Sequence, residues 1–297
     1  MTTLHVLRPA AAPAVDERPP APRLIGIGVR DHEHDDATIA WALGDAAPTV
    51  DALHIVHAYV PLRLEGCAWE PVSRARDARY LAAKRIVGQA VQRAHVTDDR
   101  MRVAGSAIAG LAPDVLIELA DVVDLLVIGD DAGAPSGEQH LTWPVQDQSR
   151  CPVVCVPSTY RAGPDERPVS VLVDGSGLSA PVLLFAVAAA RRHHVGLQVS
   201  RTWESLHDGS DPGPTWLAHQ QEELDTQLAD WRAALPDVAM SARLELDAEW
   251  PARLRAGSSL LVAGAEAVTS LRSRGAVRPG DCPIAMVPEV PGPARHS

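Results

Sequence analysis

The chain predicts two α/β domains in tandem, each a doubly wound parallel sheet of the Rossmann-like or flavodoxin-like kind, together forming an internal pseudo-dimer. Three observations carry this reading. A closing strand occurs twice, as Cys151-Pro-Val-Val-Cys-Val-Pro157 and Cys282-Pro-Ile-Ala-Met-Val-Pro288, 131 residues apart. Each copy ends a segment with the same order of apolar runs and helical stretches, and alternating strands and helices imply right-handed crossovers into a parallel sheet. The length of 297 residues with 46% hydrophobic content suits two cores. The period is far longer than the roughly 20–50 residues of a solenoid repeat.

In the first repeat, Leu24–Val29 is a short apolar strand. The acidic loop Asp31–Asp36 follows, then a helix over Ala37–Ala46, whose acidic start complements the helix dipole and supplies a cap. Leu53–Val60 is apolar enough for a strand buried on both faces. Ser73–His95 has helical periodicity with Leu81, Ile86, Val87 and Val91 facing inward. Met101–Ile108 is a third strand, Pro113–Asp121 a helix with proline in its first turn, Asp124–Ile128 a fourth strand and Pro152–Val156 the fifth.

The second repeat keeps this order. Strand Val169–Val173 leads through Asp174-Gly-Ser-Gly177 into a helix over Ala180–His194. Gly196–Ser200, Ala239–Leu246, Ser259–Ala263 and Pro283–Val287 are strands, with helices over Thr215–Leu235 and Pro251–Ala256. The expected domains span 23–158 and 169–289, with a linker at 159–168 rich in Gly and Pro and tails at 1–22 and 290–297. The Ala/Pro-rich N-terminal tail reads as disordered rather than as a signal peptide.

Composition excludes several function classes. A net charge of -11 and a pI near 5.5 argue against a nucleic-acid or anionic-membrane surface. No apolar run approaches the ~18–20 residues that span a bilayer. The 4 cysteines have neither metal-knuckle spacing nor disulfide-scaffold density, so a reducing cytoplasm is the simplest setting. Lys84 is the sole lysine and follows Leu-Ala-Ala rather than glycines, which argues against a Walker A loop and a Schiff-base site. Abundant Arg and Ala with almost no Lys suggest a GC-rich bacterial genome.

His32 and His34 among Asp31, Glu33, Asp35 and Asp36 read as a solvated helix start, and no metal is expected there. His193-His194 closes a helix, where positive charge suits the dipole. Trp231, spaced with Leu224 and Leu228, reads as core. No catalytic arrangement is found, and no enzyme is expected.

The strand-Asp-Gly-Ser opening Val171-Leu-Val-Asp-Gly-Ser176, the strand-Gly elements Leu125–Gly129 and Leu260–Gly264, and the paired closers together resemble the tandem universal stress proteins. In the nucleotide-binding branch of that family, an Asp ending the first strand meets the adenosine. A glycine-rich loop ending in Gly-Ser or Gly-Thr, after strand four, wraps the phosphates with backbone N–H groups, which requires close approach and positive φ. The resemblance thus implies nucleotide-site positions at Asp174, Gly175, Ser176 and Gly264 in the second repeat, and at Gly129, Gly133 and Gly137 in the first.

Both sites depart from the family pattern. In the first repeat Gly28 stands where the Asp is expected, Ala132 replaces the second loop glycine, and Thr142-Trp143 replaces Gly-Ser. Asp130 and Asp131 put negative charge where phosphates would sit, at a cost on the order of 1 kcal/mol each. In the second, Ala267 and Val277 occupy glycine positions. Asp174–Ser176 is open between a nucleoside contact and a tight turn capping the next helix. The expectation is a non-enzymatic cytoplasmic stress-response protein acting through protein partners, with nucleotide binding weak or lost. Low-affinity ATP binding in the second domain is the alternative, no cofactor is required, and a homodimer is compatible with either.

Overall fold

The computed structural model describes residues 21–30, 35–61, 78–130, 142–173, 179–202, 213–245, 249–264, 267 and 282–288. The chain divides into two compact units, with the break between Gly163 and Pro164. The first contains β1 (Leu24–Gly28), α1 (Asp36–Asp45), β2 (Ala52–Tyr59), α2 (Ala78–Thr97), β3 (Arg102–Ala109), α3 (Ala112–Ala120), β4 (Leu125–Gly129), α4 (Thr142–Gln148) and β5 (Val153–Val156). Its strands are all parallel, in the order β3-β2-β1-β4-β5.

The second unit contains β6 (Val169–Val173), α5 (Ala180–His193), β7 (Leu197–Thr202), α6 (Pro214–Ala234), β8 (Met240–Glu245), α7 (Trp250–Gly257), β9 (Leu260–Gly264) and β10 (Ile284–Val287). Its parallel order is β8-β7-β6-β9-β10. The doubly wound parallel architecture expected for each half is therefore present. The winding reverses between β1 and β4 and between β6 and β9, and the carboxyl ends at those reversals are where such sheets bind ligands.

The central strands form because their apolar runs can be buried from both faces. All of β6 and β9 is buried, as are Leu125–Ile128 of β4. Edge strand β3 is instead largely exposed or half-buried and built of small residues. Proline in the first turn of α3 presets its start, and Val115, Leu116, Leu119 and Ala120 form its buried face. His194 caps α5 in the left-handed conformation at φ 54°, its N–H returning to the last turn.

Three expectations need correction. The inward face of α2 is Ala83, Val87, Ala90 and Ala94, with Ile86 and Val91 half-buried, while Leu81 is 52% exposed. The alanine stripe lets α2 sit tightly on the sheet: a Cβ at Gly105 would lie 2.4 Å from Val87 Cγ1. Large apolar residues at helical spacing had suggested another face. Asp35 precedes α1 without capping it, because its buried carboxylate turns back to accept the Arg30 N–H at 3.0 and 3.1 Å. Thr142-Trp143 opens helix α4 rather than continuing a loop.

The amino-terminal end of the first sheet is locked by one arginine. Arg23 donates to Asp45 Oδ2 at 2.9 Å and to Asp51 Oδ2 at 2.7 Å, tying β1 to the end of α1 and the approach to β2. Asp51 Oδ1 accepts the Arg23 amide and Oδ2 the Ala47 amide. Burial pushes the Asp51 carboxyl up, but hydrogen bonds from Arg23 and the two amides outweigh it and hold the carboxyl below its usual range. A depressed folded value contributes stability that is present above the unfolded value near ~3.9 and lost as pH falls through the folded one. Asp51→Asn should therefore cost about 2 kcal/mol at pH 7. In urea unfolding of both proteins, that gap should narrow steadily below about pH 4; a constant gap would contradict the ionic account.

Candidate nucleotide cleft

The two units can be superposed row by row through their strand pairing. Leu126 pairs with Val153 as Leu261 pairs with Ile284. Ile25 pairs with Leu125 as Val169 pairs with Leu260. Ile25 is thus the counterpart of Val169, and continuing the rows makes Leu172 the counterpart of Gly28. The residue matching Asp174 is Arg30, which corrects the assignment of that position to Gly28. Counting apolar letters to the end of a strand cannot fix this, because only the pairing rows say where a strand ends.

Gly28 has a packing role. A Cβ there would lie 2.8 Å from Leu116 Cδ2 and 3.2 Å from Ile128 Cγ2, so the absence of a side chain lets α3 close over the end of β1. Beside it is a cavity of about 120 Å³, with Val29, Val56, Ala58, Leu116 and Ile128 among its walls and Gly129 at the end of β4. Arg30, Asp35 and His57 bring polar groups to it. The His57 ring lies 2.9 Å through Nδ1 from the Val29 carbonyl. A carbonyl oxygen can only accept, so Nδ1 carries a proton in this bond. His57 was not singled out from the sequence; its signal was a polar residue breaking the apolar run of β2.

Of the residues expected at the first site, Gly129 reaches this cleft, while Gly133 and Gly137 lie outside the described residues. Asp130 follows Gly129, its amide donating to the Val156 carbonyl at 2.8 Å. A nucleotide fits these residues poorly. The cavity is below the ~300–1,000 Å³ of ordinary ligand sites, its walls are chiefly apolar, and Leu116 covers the strand end.

In the second unit Asp174, Gly175 and Ser176 lie outside the described residues; Gly264 ends β9 and Ala267 is buried. The outer rim here is polar. Strand β7 extends past the predicted Ser200 to Thr202, placing buried Arg201 in the row that His57 holds in the first unit. Its guanidinium donates to Gln227 Oε1 at 2.6 Å. On β8, fully buried Glu245 accepts from Arg253 of α7 at 2.6 Å and lies 3.1 Å from Arg243. This pair binds α7 to the sheet and was not evident in the sequence, where Arg-Leu-Glu reads as an ordinary half-exposed strand. Among the described residues there is no cluster of three metal-ligating side chains, and no helix is long and apolar enough to cross a membrane.

The packing of Gly28 against Leu116 can be measured by double-mutant analysis. Gly28→Ala should cost about 1–2 kcal/mol through overpacking. Adding Leu116→Ala should relieve the clash, so the double variant loses about 1 kcal/mol less than the sum of the singles in urea unfolding. Strict additivity would mean that α3 does not close over Gly28.

No family model matches the chain. A universal stress protein of Mycobacterium tuberculosis is 25% identical over 232 residues, covering 72% of this chain and 77% of its own length. A second from the same organism is 26% identical over 234 residues, covering 72% and 76%. Among solved structures, a universal stress protein from Archaeoglobus fulgidus has the same fold, with a TM-score of 0.65 at 13% identity, covering 90% of this chain and 96% of that one. Sequence and fold point the same way: the chain is similar to universal stress proteins over about three quarters of its length and shares the fold of one of them.

Proposed function

We propose that the protein acts in a stress response through contacts with protein partners, in the cytoplasm, without enzymatic turnover and with nucleotide binding weak or lost. The observation that carries this is the first-unit cleft, where Arg30 takes the place of the adenosine-facing carboxylate and Leu116 lies over Gly28. The acidic surface implied by a net charge of -11 favours basic or neutral protein partners over nucleic acid. A second reading is low-affinity binding of an adenine nucleotide by the second unit. It is favoured by Gly264, which closes β9 beside the strand leading into Asp174.

Isothermal titration of the full chain with ATP, with and without Mg²⁺, separates the two readings. The first expects no heat at millimolar ATP. Micromolar binding abolished by Asp174→Ala would establish the second reading instead. For the partner claim, in-cell crosslinking under stress followed by mass spectrometry should yield a reproducible crosslink to a different protein. A chain that crosslinks only to itself would contradict that claim.

A further inference from the structure

The two units hold equivalent helices of opposite charge. Each of α2 and α6 precedes the edge strand of its unit, and both bury residues at the same spacing. These are Ala83, Val87, Ala90 and Ala94 in α2, against Leu224, Leu228, Trp231 and the following Leu235 in α6. In a chain of net charge -11, α2 carries Arg79, Lys84, Arg85 and Arg93 and no acidic residue. α6 carries Glu222, Glu223, Asp225 and Asp230 against Arg232 alone. Some of these charges are satisfied within their own unit: Arg93 meets Asp36 at 3.0 Å, and Arg232 meets Asp225 at 2.8 Å. Lys84, Arg85, Glu222 and Asp230 are exposed, and among the described residues none of the four has an ion-pair partner.

The outer faces of the two helices also match in shape. Leu81, Arg85, Gly88, Gln92 and Val96 recur at intervals of three or four, so they form one exposed stripe opposite the buried alanines. A Cβ at Gly88 would meet nothing within 4 Å, which leaves the middle of that stripe open. The equivalent stripe of α6 is Glu222, Thr226, Ala229 and Ala233, with Asp230 beside it. Gly88 and Ala229 hold the same place relative to the buried spacing, so two such helices can approach closely there. Leu81 and Val96, 52% and 81% exposed, add apolar contact near the two ends of α2.

We propose that the exposed face of α2 docks on the exposed face of α6 in a second copy of this chain, with Lys84 and Arg85 lying between Glu222 and Asp230. The charge pattern selects this occupant. Two α2 faces repel each other, as do two α6 faces, whereas the mixed pair attracts. One helix face per copy is a small interface and exposed ion pairs are screened, so the association is weak and sensitive to salt. It is separate from contact with any different protein and from nucleotide binding in either unit.

The test is sedimentation of the full chain at low salt, up to about 1 mM. The mass should rise above the monomer with concentration, and the association should weaken about tenfold when salt is raised to about 0.5 M. Lys84→Glu with Arg85→Glu should weaken it about tenfold, and so should Glu222→Lys with Asp230→Lys. Mixing these two variants should restore association, because an acidic α2 then meets a basic α6. Circular dichroism checks that each variant is folded. Should either fail to fold, carbodiimide coupling on the unaltered chain decides, since Lys84 is the sole lysine. In a mixture of ¹⁵N-labelled and unlabelled copies, a mixed-isotope peptide should join Lys84 to Glu222 or Asp230. A monomer at every concentration, association unchanged by the charge reversals, no gain on mixing, or mixed-isotope coupling of Lys84 only to other carboxylates would each overturn the proposal.

Discussion

In the first unit α3 lies so close to β1 that Gly26 and Gly28 have little room for a Cβ. A methyl at Gly26 would meet Leu119 and Val123 at 3.1 Å, and one at Gly28 would meet Leu116 at 2.8 Å. The rest of that site follows. The two glycines let Leu116 and Leu119 reach the sheet, burying apolar area at about 25 cal/mol per Å². Leu116 then lines the switch-point cleft and narrows it. Side chains on β1 would hold the helix away and leave a wider, wetter crevice of the kind that accepts a nucleotide.

The second unit resolves the same geometry differently. Ser170 and Leu172 occupy the rows of Gly26 and Gly28, and buried Ser258 donates to Ser170 at 2.6 Å. Trp250 and Leu254 of α7 supply bulk in place of the closer approach made by α3. Row by row, the position of Val56 in β2 is taken by Ser200 in β7, that of His57 by Arg201, and that of Ile108 in β3 by Glu245 in β8. At these rows the second unit carries the buried charges Arg201 and Glu245 where the first has His57 and Ile108. Buried ion pairs such as Glu245–Arg253 contribute little net stability against an apolar alternative, though losing one partner is costly. Their value in the second unit is to fix how α7 meets β8.

Much of the fold was legible because its signals are local. Continuous apolar runs mark buried parallel strands, Pro113 marks a helix start, and the repeated Cys-Pro closers define the period. The site was less legible because it depends on relations between strands. That Gly28 corresponds to Leu172 and not to Asp174 follows from pairing rows a hundred residues apart in sequence, as between Ile25 and Leu125. The inward face of α2 was misread for a related reason. Alanines carry little weight in a hydrophobic pattern, yet Ala83, Ala90 and Ala94 are buried beside Val87, which packs on Gly105, while Leu81 is exposed. The sequence marks His57 only as a polar residue in an apolar run, because its hydrogen bond goes to the Val29 carbonyl just past the neighbouring strand.

The divergence of the two sites has a physical basis in where stability resides. Parallel rows such as Leu126–Val153 and Leu261–Ile284, and the buried runs on either side of them, are common to both units. The Arg23–Asp45–Asp51 lock lies at the amino ends of the first sheet, opposite the cleft. A phosphate-binding loop contributes little to that framework, since glycines held at positive φ and converging N–H groups are strained features retained for a ligand. Where no ligand has to be held, replacing such glycines with alanine leaves the core rows intact and can relieve strain. The carboxyl end of a doubly wound sheet can therefore change ligand class, or lose its ligand, while the strand order beneath it stays the same.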